Sequence, residues 1–247
     1  MKIIMGRPHR LPEELARRAG EAIRRGKRAL VLVPSQETLR TELMILDELK
    51  LEGSFQIEVL SPARLRERVF ERAGRPRRTV LDERGKRMVL CGILEDEREN
   101  LRVYARTAVC GPEHLAALLS ELIACLKLSG QDAETALRKA QDFPEPLRGK
   151  MTELARLYAR YEERLAGRMT DAEELLFEEE RRLPLSRVTE DAEVFAAGFD
   201  VVTPSLARQL VMLARETEVS LFIESDRNAA PDGSLFAPVN ASLERLA

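Results

Sequence analysis

Short apolar runs alternate with longer stretches in which apolar residues recur every three or four positions. Lys2–Met5 (KIIM), Ala29–Val33 (ALVLV) and Gln56–Leu60 (QIEVL) have strand length. ALVLV is apolar throughout, the pattern of a strand buried on both faces. Helical spacing fills Pro12–Arg25, Gln36–Leu49 and Ala63–Ala73, and Pro12 suits the first turn of its helix. Three strand–loop–helix units in succession predict a parallel sheet covered by helices.

From about Leu81 to Arg182 the spacing becomes helical throughout. Val89, Leu90, Ile93 and Leu94 form one apolar stripe, and Leu115, Leu118, Leu119, Leu122, Ile123 and Leu126 another. Leu154, Leu157, Tyr158, Tyr161 and Leu165 form a third, in which the two tyrosines share a face and read as packing. Gly111-Pro112, Gly130, Pro144-Glu145-Pro146 and Gly167 divide the stretch into about four to six helices. Strand runs return at Glu193–Ala197 and Val219–Ile223, with a loop at Gly198–Pro204 and a helix at Ser205–Arg215 between them. Asn228–Pro238, rich in Ala, Pro, Gly and Asp, reads as a loop. The expected fold is α/β: a parallel sheet flanked by helices, formed by residues 1–80 and 185–247, with an all-helical subdomain inserted at 81–184. Ending just after a strand and a loop, the chain has the look of a fragment of something longer.

With 247 residues, 44% hydrophobic and 33% charged, the composition is that of a globular protein. No apolar run has membrane-spanning length and no signal peptide opens the chain, so a cytoplasmic location without membrane association is expected. Cys91, Cys110 and Cys125 are widely spaced and odd in number, so they are expected as small buried hydrophobes and not as a disulfide or metal set. His9 and His114 are the only histidines. The net charge is −2, which removes whole-molecule attraction to nucleic acid. Yet Arg64 to Arg87 holds ten Lys/Arg against four Asp/Glu. That stretch is either a solvated helix face or a local surface for phosphates.

The first turn after the first strand carries a question of chemistry. Gly6-Arg7-Pro8-His9-Arg10-Leu11-Pro12-Glu13 stands between strand and helix, where a phosphate loop would sit. Such a loop needs G-x-x-x-x-G-K-[ST], so that backbone N–H groups reach the phosphates and a lysine neutralises them. Its last three places here are Leu11, Pro12 and Glu13. Pro12 has neither N–H nor charge, and Glu13 repels a phosphate.

Four segments in order carry a resemblance: Gly6-Arg7 after the first strand, Leu32-Val33-Pro34-Ser35-Gln36-Glu37-Thr38 after the second, Val59-Leu-Ser-Pro-Ala-Arg-Leu65 at the third, and Gly198-Phe199 with Thr203-Pro204 late in the chain. The chain resembles, over nearly its whole length, the N-terminal part of AddB-type subunits of the bacterial AddAB helicase–nuclease, a group related to RexB. Those subunits begin with a helicase-like sheet domain carrying a helical insertion. The chain departs from a working helicase in a second place too. The aspartate expected before Gly-Phe aligns with Ala197, and the helicase's catalytic glutamate with Gly198.

The resemblance implies a P-loop helicase-like fold and a part in DNA double-strand break repair and recombination. It implies single-stranded DNA binding and scaffolding without ATP hydrolysis, and a heterodimer with an AddA-type helicase–nuclease partner. By resemblance the DNA contacts are Gln36, Thr38, Arg64, Phe199 and Thr203, and the degenerate nucleotide site is Gly6, Pro12, Glu13 and Ala197. No catalytic residue, metal ligand or cofactor is expected in this chain. The family's ATP and magnesium chemistry lies elsewhere in the complex, and its nuclease, with a cysteine-bound iron–sulfur cluster, lies far downstream. Read without the resemblance, Ser35 is a helix N-cap, Arg64 pairs with Glu67, and Arg68 pairs with Glu71. With no Trp, three Tyr and eight Phe, the chain is poor in stacking platforms, and Phe199 is the one aromatic in the three loops. Two other classes stay open: an α/β enzyme domain whose Gly6 and helix start hold a phosphate through backbone amides, and a pure protein-interaction module.

Overall fold

The computed structural model describes residues 1–7, 9–104 and 111–224. In chain order the first elements are β1 (Lys2–Gly6), α1 (Leu11–Arg24), β2 (Arg28–Leu32), a 3-10 turn (Ser35–Glu37), α2 (Thr38–Glu48), β3 (Ile57–Leu60) and α3 (Pro62–Ala73). There follow β4 (Thr79–Val80), α4 (Glu83–Asp96), α5 (Pro112–Leu128), α6 (Ala133–Ala140), α7 (Leu147–Leu165) and β5 (Met169–Thr170). The last are α8 (Ala172–Ser186), β6 (Ala192–Ala196), α9 (Pro204–Glu216) and β7 (Val219–Glu224). The chain divides into two compact units, one of Met1–Arg75 with Leu176–Ala247 and one of Pro76–Leu175.

The first unit is built on a five-stranded sheet in the order β1-β7-β6-β2-β3, parallel at every pairing. Parallel strands are covered on both faces, and the sequence obeys this: all of β6 and Ala29–Leu32 of β2 are buried. Ala16, Ala19 and Ala22 of α1 pack with Ala29, Val31, Phe195 and Phe222, small side chains that let the helix lie close on the strands. Each strand ends at the same edge of the sheet, and its following loop carries one of the four quoted segments or the chain beyond β7.

The second unit is helical. Leu90, Leu119, Leu157, Tyr158 and Tyr161 are at its centre, so the two tyrosines are core residues. Buried charged groups there have partners, as desolvation demands: Glu153 accepts the amides of Arg102, Val103 and Tyr104, and the lysines pair with carboxylates. Lys127 Nζ lies 2.6 Å from Asp171 Oδ2 and 2.5 Å from Glu162, and the Tyr161 hydroxyl is 3.1 Å from the same Asp171 oxygen. Burial opposes the Asp171 charge, but the Lys127 ammonium holds its carboxyl below the usual range. Lys86, from the basic stretch, is buried against Glu173 at 2.7 Å.

Some expectations need correction. Cys125 is exposed and Cys91 half-buried, because helical spacing puts Cys125 off the apolar stripe of α5. Cys110 and the loop at Asn228–Pro238 lie outside the described residues. Ser35 is no side-chain cap: it opens the 3-10 turn, and its carbonyl accepts the Thr38 hydroxyl at 3.1 Å. Glu67 pairs with Arg75 and not with Arg64, whereas Arg68 does reach Glu71, at 3.6 Å. The helical stretch also holds a two-residue parallel pairing of β4 with β5. Among the described residues no helix is long and apolar enough to cross a membrane.

Candidate functional site

The C-terminal edge of a parallel sheet is where loops gather and ligands bind. The first of these loops is closed on itself. The Arg7 carbonyl accepts the amides of Arg10 (3.0 Å) and Leu11 (3.3 Å), so two N–H groups at the start of α1 are already used. Pro12 supplies none, and Glu13 and Glu14 occupy the first turn. Gly6 is explained by packing: a Cβ there would stand 2.9 Å from Leu11 Cδ2. Among the described residues, the turn thus packs Gly6 against Leu11 and commits the Arg10 and Leu11 amides to the Arg7 carbonyl.

The loop after β6 is set by Ala197 and Gly198. Ala197 N–H donates to the Leu32 carbonyl at 2.9 Å, which prolongs the β6–β2 ladder by one bond. Gly198 then turns with φ 74°, in the left-handed region, and a Cβ on it would lie 3.4 Å from Pro34 Cδ. The left-handed turn that redirects the chain thus disfavours any side chain at this position.

These loops enclose a cleft of about 770 Å³ bounded by the ends of β2, β6 and β7 and the starts of α1 and α2. Pro12, Gln36, Ala197 and Phe199 line it. Its wall is apolar, with Leu11, Leu15, Val33, Met44 and Phe222, and Glu37, Arg40, Thr41, Asp200 and Glu224 supply the polar groups. Gly6 and Glu13 belong instead to a neighbouring groove with Arg7, His9 and Arg10. Arg7 and Arg10 are exposed and make no ion pair among the described residues.

Arg64, Thr38 and Thr203 line neither opening. Ser61 caps α3, its hydroxyl accepting the Arg64 amide at 3.3 Å. This leaves the Arg64 side chain exposed, with no ion pair among the described residues. Thr203 caps α9 in the same manner, accepting the Leu206 amide at 3.3 Å. Thr38 and Thr203 therefore shape their loops, whereas Gln36, Phe199 and Arg64 present free groups.

One brace behind the loops was invisible in the sequence. Glu179 of α8 is wholly buried, 3.0 Å from Arg66 Nε and 2.5 Å from Gln209 Nε2. Gln209 also donates to the Pro62 carbonyl at 3.1 Å. Burial pushes the Glu179 carboxyl up, against the pull of Gln209 and Arg66. The set ties the first turn of α3 to α9, so the Arg64 loop and the Thr203 loop share one support. Its partners lie far apart in the chain, and no short-range pattern marks them.

Within the basic stretch four of the ten cations are in ion pairs among the described residues, and Arg72, Arg77, Arg78, Arg84 and Arg87 are exposed. In the first unit, Arg66 pairs with Glu179, Arg68 with Glu58 and Glu71, and Arg75 with Glu67. Among the described residues no group of three or more His, Cys, Asp or Glu is placed to hold a metal ion.

The family model described as ADDB, N-terminal, matches residues 4–247. A Desulforamulus reducens protein, named as the B subunit of an ATP-dependent helicase/deoxyribonuclease, is 34% identical over 223 residues, which is 87% of this chain and 19% of that protein. Proteins of the same name from Pelotomaculum thermopropionicum and Bacillus anthracis are 33% and 28% identical, over 90% and 92% of the chain and 20% of each relative. The chain spans about a fifth of the length of these relatives. With a family model matched over almost every residue and relatives above 30% identity, the chain belongs to the AddB N-terminal family.

Proposed function

We propose that the chain is an inactivated helicase-like domain of the B subunit of a helicase–deoxyribonuclease that processes DNA double-strand breaks in the cytoplasm. It guides a separated single strand without hydrolysing ATP and serves as scaffold for an AddA-type partner. The relatives' names support the subunit role. The observation that carries the absence of ATP turnover is the paired loss at the sheet edge. The turn after β1 spends its amides on the Arg7 carbonyl and puts Pro12 and Glu13 where a lysine and a hydroxyl are needed. The turn after β6 holds Ala197 and a left-handed Gly198 where two carboxylates are needed. Neither half of the site fits a magnesium triphosphate.

Phosphates of a strand would meet the free guanidinium of Arg64 at one end of the sheet edge and Arg7 and Arg10 at the other. Gln36 offers an amide and Phe199 a ring to a base. Thr38 and Thr203 keep the two loops in shape. The test is direct. The purified chain is given a labelled 20-nucleotide single strand with ATP and magnesium, and anisotropy and phosphate release are followed. Binding without turnover is expected. Turnover stimulated by the oligonucleotide overturns the reading, and absence of DNA binding at low salt removes strand guidance and leaves the scaffold alone.

A further inference from the structure

We propose that the cleft at the ends of β2, β6 and β7 is a docking pocket for an extended peptide that carries arginine beside an apolar side chain. It rests on the preceding reading in that no triphosphate occupies the cleft, and a peptide there excludes a DNA base from Gln36 and Phe199. The volume, about 770 Å³, lies within the range of pockets that bury a ligand. Leu15, Met44 and Phe222 give it an apolar wall that a phosphate chain would not use.

Two further observations specify the occupant. Thr41 lines the cleft and is 9% exposed, and its hydroxyl has no hydrogen-bond partner among the described residues. Solvent reaches that hydroxyl, so a ligand's backbone N–H or C=O would replace water on it at the cleft wall. The charge at the cleft is also reversed from that of a nucleotide site: Glu37, Asp200 and Glu224 stand against Arg40. Arg40 lies 3.5 Å from Glu37, while Asp200 and Glu224 make no ion pair among the described residues. Two free carboxylates repel an anion and match a guanidinium, whose planar fork satisfies carboxylates with paired hydrogen bonds. An arginine placed on Asp200 and Glu224, an apolar neighbour on the wall, and peptide groups facing Thr41 and Gln36 use every free group in the cleft.

The probe is the peptide acetyl-Leu-Arg-Leu-Arg-amide, titrated into the isotopically labelled 247-residue chain, with a peptide carrying Glu in place of Arg as control. Amide shifts centred on Thr41, Phe199 and Asp200 are expected with the first peptide and not the second. Asp200→Asn combined with Glu224→Gln should weaken binding by about tenfold with an unchanged thermal midpoint, since both side chains are exposed. Equal binding of the control peptide, or an unaltered affinity in the double variant, overturns the proposal. Shifts at these residues with ATP and magnesium overturn the preceding reading instead. An inert response to both the arginine peptide and ATP overturns this proposal alone.

Discussion

At Gly198 the backbone conformation limits which residue the position accepts. Its φ of 74° is a left-handed conformation that L side chains rarely adopt, while a notional Cβ would sit in ordinary contact with Pro34 Cδ at 3.4 Å. Any L-residue there carries backbone strain of about 1–2 kcal/mol. Gly198→Glu, which puts back the carboxylate that helicases place after this strand, should therefore lower stability by about that amount in urea unfolding and yield no phosphate release. A variant of undiminished stability that turns over ATP would show that Gly198 is the sole defect. The loss at Pro12 and Glu13 was legible because a phosphate loop demands particular residues at fixed spacing. The free carboxylates of Asp200 and Glu224 and the place of Thr41 at the cleft wall were not, because their meaning depends on which neighbours the fold brings close. Cys125 shows the same limit, since its exposure follows from a helix face and not from its residue type.

Strands and helices were readable because their periods differ. ALVLV and EVFAA are apolar almost without interruption, and the helices that follow them carry period-3.6 stripes. The 3-10 turn at Ser35–Glu37 shifted the start of α2 to Thr38, a local detail that composition does not mark. The β4–β5 pairing has two residues per strand and thus no period to read. Hardest to read were the ties between elements. Glu179 joins α8 to α3 and α9 through Arg66 and Gln209, partners 113 and 30 positions away. Burial raises the Glu179 carboxyl above its ordinary range. A carboxyl raised in the folded state binds its proton more tightly folded than unfolded. Its contribution to stability is thus full below the unfolded value and is lost as pH rises through the folded one. Glu179→Gln keeps the shape and removes the titration. The stability of the native chain minus that of Glu179→Gln should be larger at about pH 4 than at about pH 7 in paired urea unfolding experiments. A difference that grows with pH would mean the Arg66 charge outweighs desolvation.

Across the whole molecule, charge placement limits how the proposed DNA strand would be held. The net charge of −2 gives no general attraction, and four of the ten cations from Arg64 to Arg87 are spent on internal pairs. What remains at the sheet edge is Arg64 beyond β3 and Arg7 with Arg10 beyond β1, on opposite margins of five strands. At about 4.8 Å per strand, four intervals separate these margins by about 19 Å. Between them stand Asp200 and Glu224, which disfavour a phosphate at the centre. A strand lying across this edge therefore contacts about three cations, and each releases counterions. For single strands the slope of log affinity against log salt is about −0.7 per contact, so a value near −2 is expected. Arg64→Ala should bring it to about −1.4 and weaken binding several-fold at low salt, with no change in thermal midpoint because the side chain is exposed. Fluorescence anisotropy of a strand of about 20 nucleotides between about 50 and 300 mM salt measures both quantities. A slope steeper than about −4, or one indifferent to Arg64, would mean that the strand runs over another surface, since three cations at this edge cannot release so many ions.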